Sequence, residues 1–133
     1  MEDRELTKQI IGYAMTVHST LGPGFVESVY KKSLFHELNK AGLRAVCEKP
    51  LTVYYDDVIV GEFCCDMIVE ERILVELKAN QGLVAAHEVQ LVNYLTATKI
   101  ETGLLLNFGG LSLDFKRKSR SYVPKKPPQD FTL

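Results

Sequence analysis

Residues 64–78 read CCDMIVEERILVELK, two runs of strand-forming apolar residues interrupted by Asp66, Glu76 and Lys78. Side chains alternate along a strand, so Leu74, Glu76 and Lys78 share one face and Ile73, Val75 and Leu77 the other, which is expected to be the core face. On the preceding strand Cys64, Asp66 and Ile68 are expected to share a face. If Val69 stands opposite Ile73, with Glu70 to Arg72 as the loop, Asp66 falls opposite Glu76 and both carboxylates meet the lysine. A two-residue loop at Glu70-Glu71 would instead pair Asp66 with Val75 and turn Glu76 away, because a one-step slip reverses every side chain.

Upstream, LTVYY (51–55) and VIVGEFCCDMIV (58–69) form hairpin strands around Asp56-Asp57. Downstream, the pattern predicts a helix over Leu83 to Thr98 and short strands at Gly103–Phe108 and Leu111–Phe115 around Gly109-Gly110. Before the sheet, Leu6, Ile10, Tyr13, Val17 and Leu21 recur at helical spacing until LGPG stops them. Val26 to Leu38 then form a second helix, ended by Gly42. The order is helix, helix, three strands, helix, two strands, which indicates an α/β fold with a mixed central sheet. The helix after Lys78 acts as a crossover that returns the chain parallel, setting the last strands beside the hairpin.

A chain of 133 residues, 46% hydrophobic and 25% charged, has the size of one domain able to bury a core, so residues 1–133 are read as a single domain. MEDRELTKQI offers neither a signal-peptide core nor a membrane span, and a soluble, cytoplasmic protein is expected. Cys47, Cys64 and Cys65 cannot all pair and lack zinc-site spacing, so buried free thiols are expected. The net charge of -1 gives no global attraction for nucleic acid. Lys116, Arg117, Lys118, Arg120, Lys125 and Lys126 nevertheless crowd together, and could grip phosphates or form a solvated tail, partly flexible from about residue 116 to 133.

Two carboxylates held close repel each other unless a cation lies between them, and such oxygen ligands suit Mg²⁺ or Mn²⁺. An ion there would polarise a phosphodiester and acidify bound water, while Lys78 would position that water or steady charge growing on phosphorus. The plain structural alternative is a wet edge hairpin in which Lys78 merely neutralises a carboxylate.

Further residues carry a family resemblance across nearly the whole chain. The segment Gly24-Phe25-Val26-Glu27-Ser28-Val29-Tyr30 resembles the name-giving motif of the GxxExxY protein family, a branch of the PD-(D/E)XK nuclease superfamily. Val17-His18, Asp66, Val75-Glu76-Leu77-Lys78, His87-Glu88-Val89-Gln90 with Tyr94-Leu95, and Gly103 to Phe108 match as well. The resemblance implies a restriction-endonuclease-like αβββαβ core flanked by helices, with an extra N-terminal helix. It implies that Asp66 and Glu76 bind metal, that Lys78 serves the attacking water, and that Glu27 is an additional acid directed at the metal. Gln90 to Tyr94 resembles the QxxxY motif of the RecB-like branch, contacting DNA or bracing the site. Cys65 stands where the broadest superfamily pattern has proline.

His87, Gln90 and Tyr94 fall on one helical face, although Tyr94 also suits a core aromatic and His87 a half-exposed helix position. Glu27 could equally pair with Lys31 one turn on. His18 could brace the bend at Gly22 to Gly24 or approach the metal. The leading expectation is a Mg²⁺-dependent nuclease acting on DNA, with Glu27, Asp66, Glu76, Lys78 and Gln90 in the chemistry and Tyr94, Lys116, Arg117 and Lys118 on the substrate. A homo-oligomer or partner protein would supply specificity. The alternatives are a catalytically inactive nuclease-fold protein that binds nucleic acid or a protein partner, and a hydrolase of RNA or a nucleotide.

Overall fold

The computed structural model describes residues 1–121. Two helices come first, α1 (Asp3–Leu21) and α2 (Glu27–Lys40). A long hairpin follows, β1 (Ala45–Tyr55) and β2 (Val58–Val69), then β3 (Ile73–Lys78), α3 (Ala85–Thr98), β4 (Thr102–Asn107) and β5 (Asp114–Ser119). The strands lie in one sheet of order β1-β2-β3-β4-β5. Only β3 and β4 pair parallel, the arrangement expected across the α3 crossover. The chain therefore has a restriction-endonuclease-like αβββαβ core in a mixed sheet, with α1 as the extra N-terminal helix.

Alternation along β3 and β4 divides the core into two layers. Ile73, Val75, Leu77, Leu104 and Leu106 face Leu6, Ile10, Leu34 and Leu38 of α1 and α2. Leu74 and Leu105 face Leu91, Tyr94 and Leu95 of α3. Both faces of the central strands are thus covered, whereas the sequence suggested a core on one face only. This burial also removes the wet edge hairpin: β3 is central and Glu76 is only 5% exposed.

The hairpin register is the one that brings the polar residues together. Val69 stands opposite Ile73, Ile68 opposite Leu74 and Met67 opposite Val75. The loop is Glu70 to Arg72, with positive φ at Glu70 and Glu71, and the Glu70 N–H bonds to Arg44 O.

Three expectations need correcting. First, β1 begins at Ala45, ahead of LTVYY. Second, β5 is Asp114–Ser119 rather than Leu111–Phe115, so Lys116, Arg117 and Lys118 lie in an edge strand and not in a tail. Charged side chains are a usual guard on an unpaired strand edge. Lys125 and Lys126 lie outside the described residues. Third, Cys65 and not Cys64 joins Ile68 beneath α3; Cys64 is exposed and Cys47 half-buried. The break in alternation falls at Asp66. Opposite it Glu48 adopts φ 56, and the β1–β2 pairing passes from Cys47↔Met67 to Lys49↔Cys65 without a Glu48–Asp66 pair.

Candidate active site

Where β2 and β3 stop pairing, side chains complete the ladder. The Asp66 N–H donates to Glu76 Oε1 at 3.3 Å, and the Leu77 N–H donates to Asp66 Oδ2 at 2.8 Å. These two bonds set the carboxylates side by side, and each acts on the other's ionisation. Burial, together with the hydrogen bond and negative charge of Asp66, pushes the Glu76 carboxyl up to about 9. Burial would raise Asp66 as well, but the bonds from Glu76 and Leu77 and the Lys31 ammonium outweigh it and hold this carboxyl below its usual range. The two shifts run in opposite directions, as expected of neighbouring acids that cannot both ionise freely.

Lys31 extends from α2 to Asp66 Oδ1 at 3.4 Å and to Glu48 Oε1 at 3.2 Å. Sequence reasoning missed this residue as a site member and considered it only as a partner for Glu27. The available signal was its spacing: Lys31 follows Glu27 by one turn, so a stripe that carries Glu27 toward the sheet carries Lys31 too. Glu27 itself is exposed at the first position of α2. Among the described residues no three His, Cys, Asp or Glu side chains come together, so the structure groups Asp66 with Glu76 and leaves Glu27 out of that group.

The glycine and tyrosine of the Gly24 to Tyr30 segment are structural. Tyr30 is fully buried and stacks on Phe108 with ring centroids 4.6 Å apart. Its hydroxyl donates to Gly22 O at 2.6 Å and accepts the Phe25 N–H at 3.1 Å, pinning the turn that launches α2. Gly22 and Gly24 have φ of 70° and 114°, which only glycine adopts readily. His18 Nε2 lies 2.8 Å from Gly110 O, so His18 ties α1 to the β4–β5 turn.

Lys78 follows Glu76 on the α3 side of β3, half-buried, and its charge acts on Glu76. No hydrogen bond or ion pair holds the Lys78 ammonium among the described residues. The backbone beyond it is fixed by Asn107, which lies opposite Lys78. Asn107 accepts the Asn80 N–H at 3.0 Å and donates to Asn80 O at 3.0 Å. A methyl group on Gly109 would overlap the Asn80 backbone, so the two chain segments touch there.

Gln90 and Tyr94 of α3 lie over this end of the sheet. Gln90 Nε2 donates to Tyr94 Oη at 3.3 Å, and the Tyr94 phenol is raised by burial and by the charges of Glu76 and Asp66. His87 accepts the Val84 N–H through Nδ1 at 3.3 Å, which makes it a cap for α3. On β5, Lys116 lies opposite Leu105, itself opposite Glu76, so the three occupy one cross-strand row on the α3 face. Lys118 shares that face and pairs with Glu88 of α3 at 2.6 Å. Arg117 stands opposite Leu104 and points to the other side of the sheet, apart from the carboxylate pair.

A family model for the PD-(D/E)XK nuclease superfamily matches residues 4–118. The chain belongs to the PD-(D/E)XK nuclease superfamily. The solved crystal structure of SSO0001 is similar in fold, with a TM-score of 0.57 at 17% sequence identity, covering 72% of this chain and 50% of that one. The present chain thus spans half the length of that structure. No curated protein matches the chain. Members of the superfamily are usually nucleases that use divalent metals.

The Asp66–Glu76 pair suits such an ion. Two carboxylates set side by side repel each other when both are charged, and a hard divalent cation between them would let both ionise. No helix among the described residues is long and apolar enough to cross a membrane.

Proposed function

We propose that this superfamily member is a Mg²⁺-dependent nuclease, able to use Mn²⁺, that hydrolyses DNA phosphodiester bonds in the cytoplasm. The observation that carries the reading is the cross-linking of the two strands by the Asp66 and Glu76 carboxylates, each accepting a backbone N–H of the other strand, with Glu76 buried and Lys78 following on the same strand. Asp66 and Glu76 would hold the cation, with Glu27 supplying a further oxygen from α2. When bound, the ion polarises the phosphodiester and lowers the pKa of a water. Lys78, free of ion pairs among the described residues, holds the attacking water or balances charge developing on phosphorus. Gln90 and Tyr94 orient the strand being cut, and Lys116 and Lys118 draw phosphates toward the same face.

The segment Gly24 to Tyr30 supports placement in the GxxExxY branch, and Gln90 with Tyr94 supports a likeness to the RecB-like QxxxY group. A second copy or a partner protein supplies sequence specificity, since the described domain carries no separate reading module.

One observation favours a second reading, a nuclease-fold protein that binds nucleic acid or a protein partner without cutting. Only two acids converge among the described residues, and Lys31 already pairs with one of them. Manganese titration and a cutting assay on single- and double-stranded DNA separate the two. The nuclease reading expects stoichiometric Mn²⁺ binding and cutting, both lost in Glu76→Gln. Absence of binding and cutting in the unmodified protein would establish the second reading.

A further inference from the structure

Between the β1–β2 hairpin and α3 runs a groove of about 950 Å³. One wall carries Tyr54 and Phe63 and the other Gln90, Asn93 and Tyr94. Tyr54 is 61% exposed and Phe63 49%, so their ring faces are available, and Phe63 lies with its ring centroid 5.9 Å from that of Tyr94. The lining contains no carboxylate and a single cationic residue, Lys99. Such a surface offers aromatic faces and amide hydrogen-bonding groups, and little to hold a phosphate.

The groove adjoins the candidate active site through Tyr94, which lines it and packs in one cluster with Cys65, the residue before Asp66, and Leu105, the residue opposite Glu76; Gln90 bonds to Tyr94. At its other end it meets a hollow of about 510 Å³ that shares Thr52 and Ala97 and brings in the cations Arg44 and Lys49. Beyond the rings, the turn of the hairpin carries Asp56 and Asp57, which repel a phosphate backbone from the outer rim. Rings and amides adjoining a phosphodiester-cutting centre match the bases, which the sugars hold a short distance from the phosphates. In a duplex the base faces are stacked on their neighbours and closed to such rings, whereas an unpaired strand exposes them.

We infer that this groove seats unstacked bases of a single-stranded substrate, stacked on Tyr54 and Phe63 and hydrogen-bonded by Gln90 and Asn93, so that the adjoining phosphodiester is delivered to Asp66 and Glu76. The inference rests on the nuclease reading for the role of the carboxylates and adds the substrate class, an unpaired strand or frayed end.

The test uses the full chain, a fluorescent single-stranded oligodeoxynucleotide and the blunt duplex of the same sequence, with binding read by anisotropy in calcium and cutting in manganese. Single-strand binding should exceed duplex binding, and Tyr54→Ala or Phe63→Ala should each weaken it roughly tenfold while duplex binding stays unchanged. Tyr54→Phe, which keeps the ring, should restore it. Both ring positions are exposed, and circular dichroism checks that the variants remain folded. Equal binding of both forms, or ring variants that bind the single strand normally, would overturn the inference while cutting in manganese left the nuclease reading standing. Ring-dependent single-strand binding without any metal-supported cutting would keep the groove's ligand and remove the nuclease.

Discussion

The Lys31 ammonium sits 3.4 Å from Asp66 Oδ1, at a carboxylate proposed to hold a metal ion. Burial would lower Lys31, but the charges of Asp66 and Glu48 outweigh it and hold its pKa above the ordinary value. In the absence of a divalent cation, Lys31 is therefore the positive charge that Asp66 contacts. A metal entering the pair has to compete with it.

Lys31→Met tests that competition. Removing the ammonium leaves a half-buried Asp66 without its cation, at an expected cost of about 1 kcal/mol to the metal-free protein. Manganese should then bind more tightly and restore the loss, which paired thermal melts and calorimetric titration would show. A variant with weaker Mn²⁺ binding would instead make Lys31 a helper of the ion.

Glu76 gives the metal-free protein a defined pH response. Its folded-state pKa, about 9, lies above the ordinary value of 4.5, so between these limits the folded chain keeps a proton that the unfolded chain has released. Stability contributed by this group is complete below the ordinary value and is lost as pH rises toward about 9, by at most about 1.4 kcal/mol per pH unit. Urea unfolding in chelator should therefore show falling stability between about pH 6 and pH 8.5, a slope that Glu76→Gln flattens and Mg²⁺ or Mn²⁺ reduces. A flat profile in the unmodified protein would mean that Glu76 ionises normally in the fold.

Lys78→Met separates chemistry from folding at the third polar position. The Lys78 ammonium has no hydrogen-bond or ion-pair partner among the described residues, so the unfolding midpoint should move little. Cutting should fall roughly a hundredfold or more, as when a group that stabilises developing charge is removed. If the midpoint drops sharply, Lys78 belongs to a structural network.

Tyr30 and Glu27 of the Gly24 to Tyr30 segment should respond oppositely. Tyr30→Phe removes the hydroxyl that joins Gly22 O to Phe25 N, and should cost about 1 kcal/mol of stability through the two lost hydrogen bonds of the turn. Glu27→Gln, at an exposed position, should leave stability unchanged while reducing Mn²⁺ affinity and cutting. Full activity in Glu27→Gln would remove Glu27 from the proposed metal set, in keeping with its absence from the Asp66–Glu76 group.

The residues that were readable from sequence are those whose placement follows from local rules. Strand alternation left two registers open, and the structure adopts the one with Val69 opposite Ile73, which carries Asp66 to Glu76. The parallel return of β4 follows from a helix between two strands. What escaped depends on tertiary partners. The left-handed Glu48 breaks alternation at Asp66 and brings Cys65 rather than Cys64 beneath α3, and nothing local to either cysteine marks this. β5 was obscured because Lys116, Arg117 and Lys118 read as a solvated tail until β4 is present to pair with them. Helical spacing put Lys31 on the stripe of Glu27, but its partners Glu48 and Asp66 came into reach only with α2 packed against β1 and β3.

The edge strand supplies a test that separates position from charge alone. Lys116 shares a cross-strand row and a face with Glu76, whereas Arg117, its neighbour in sequence, projects from the opposite side. Each carries one positive charge, so a loosely organised basic tail would lose equally from either substitution. A surface that guides phosphates toward the carboxylate pair would not. Lys116→Ala should weaken DNA binding and reduce the slope of log affinity against log salt by about 0.7 to 0.9, the contribution of one phosphate contact. Arg117→Ala should leave the slope close to that of the unmodified protein. Equal losses would mean that DNA does not distinguish the two faces of β5, and Lys116 would then have no directed role at the site.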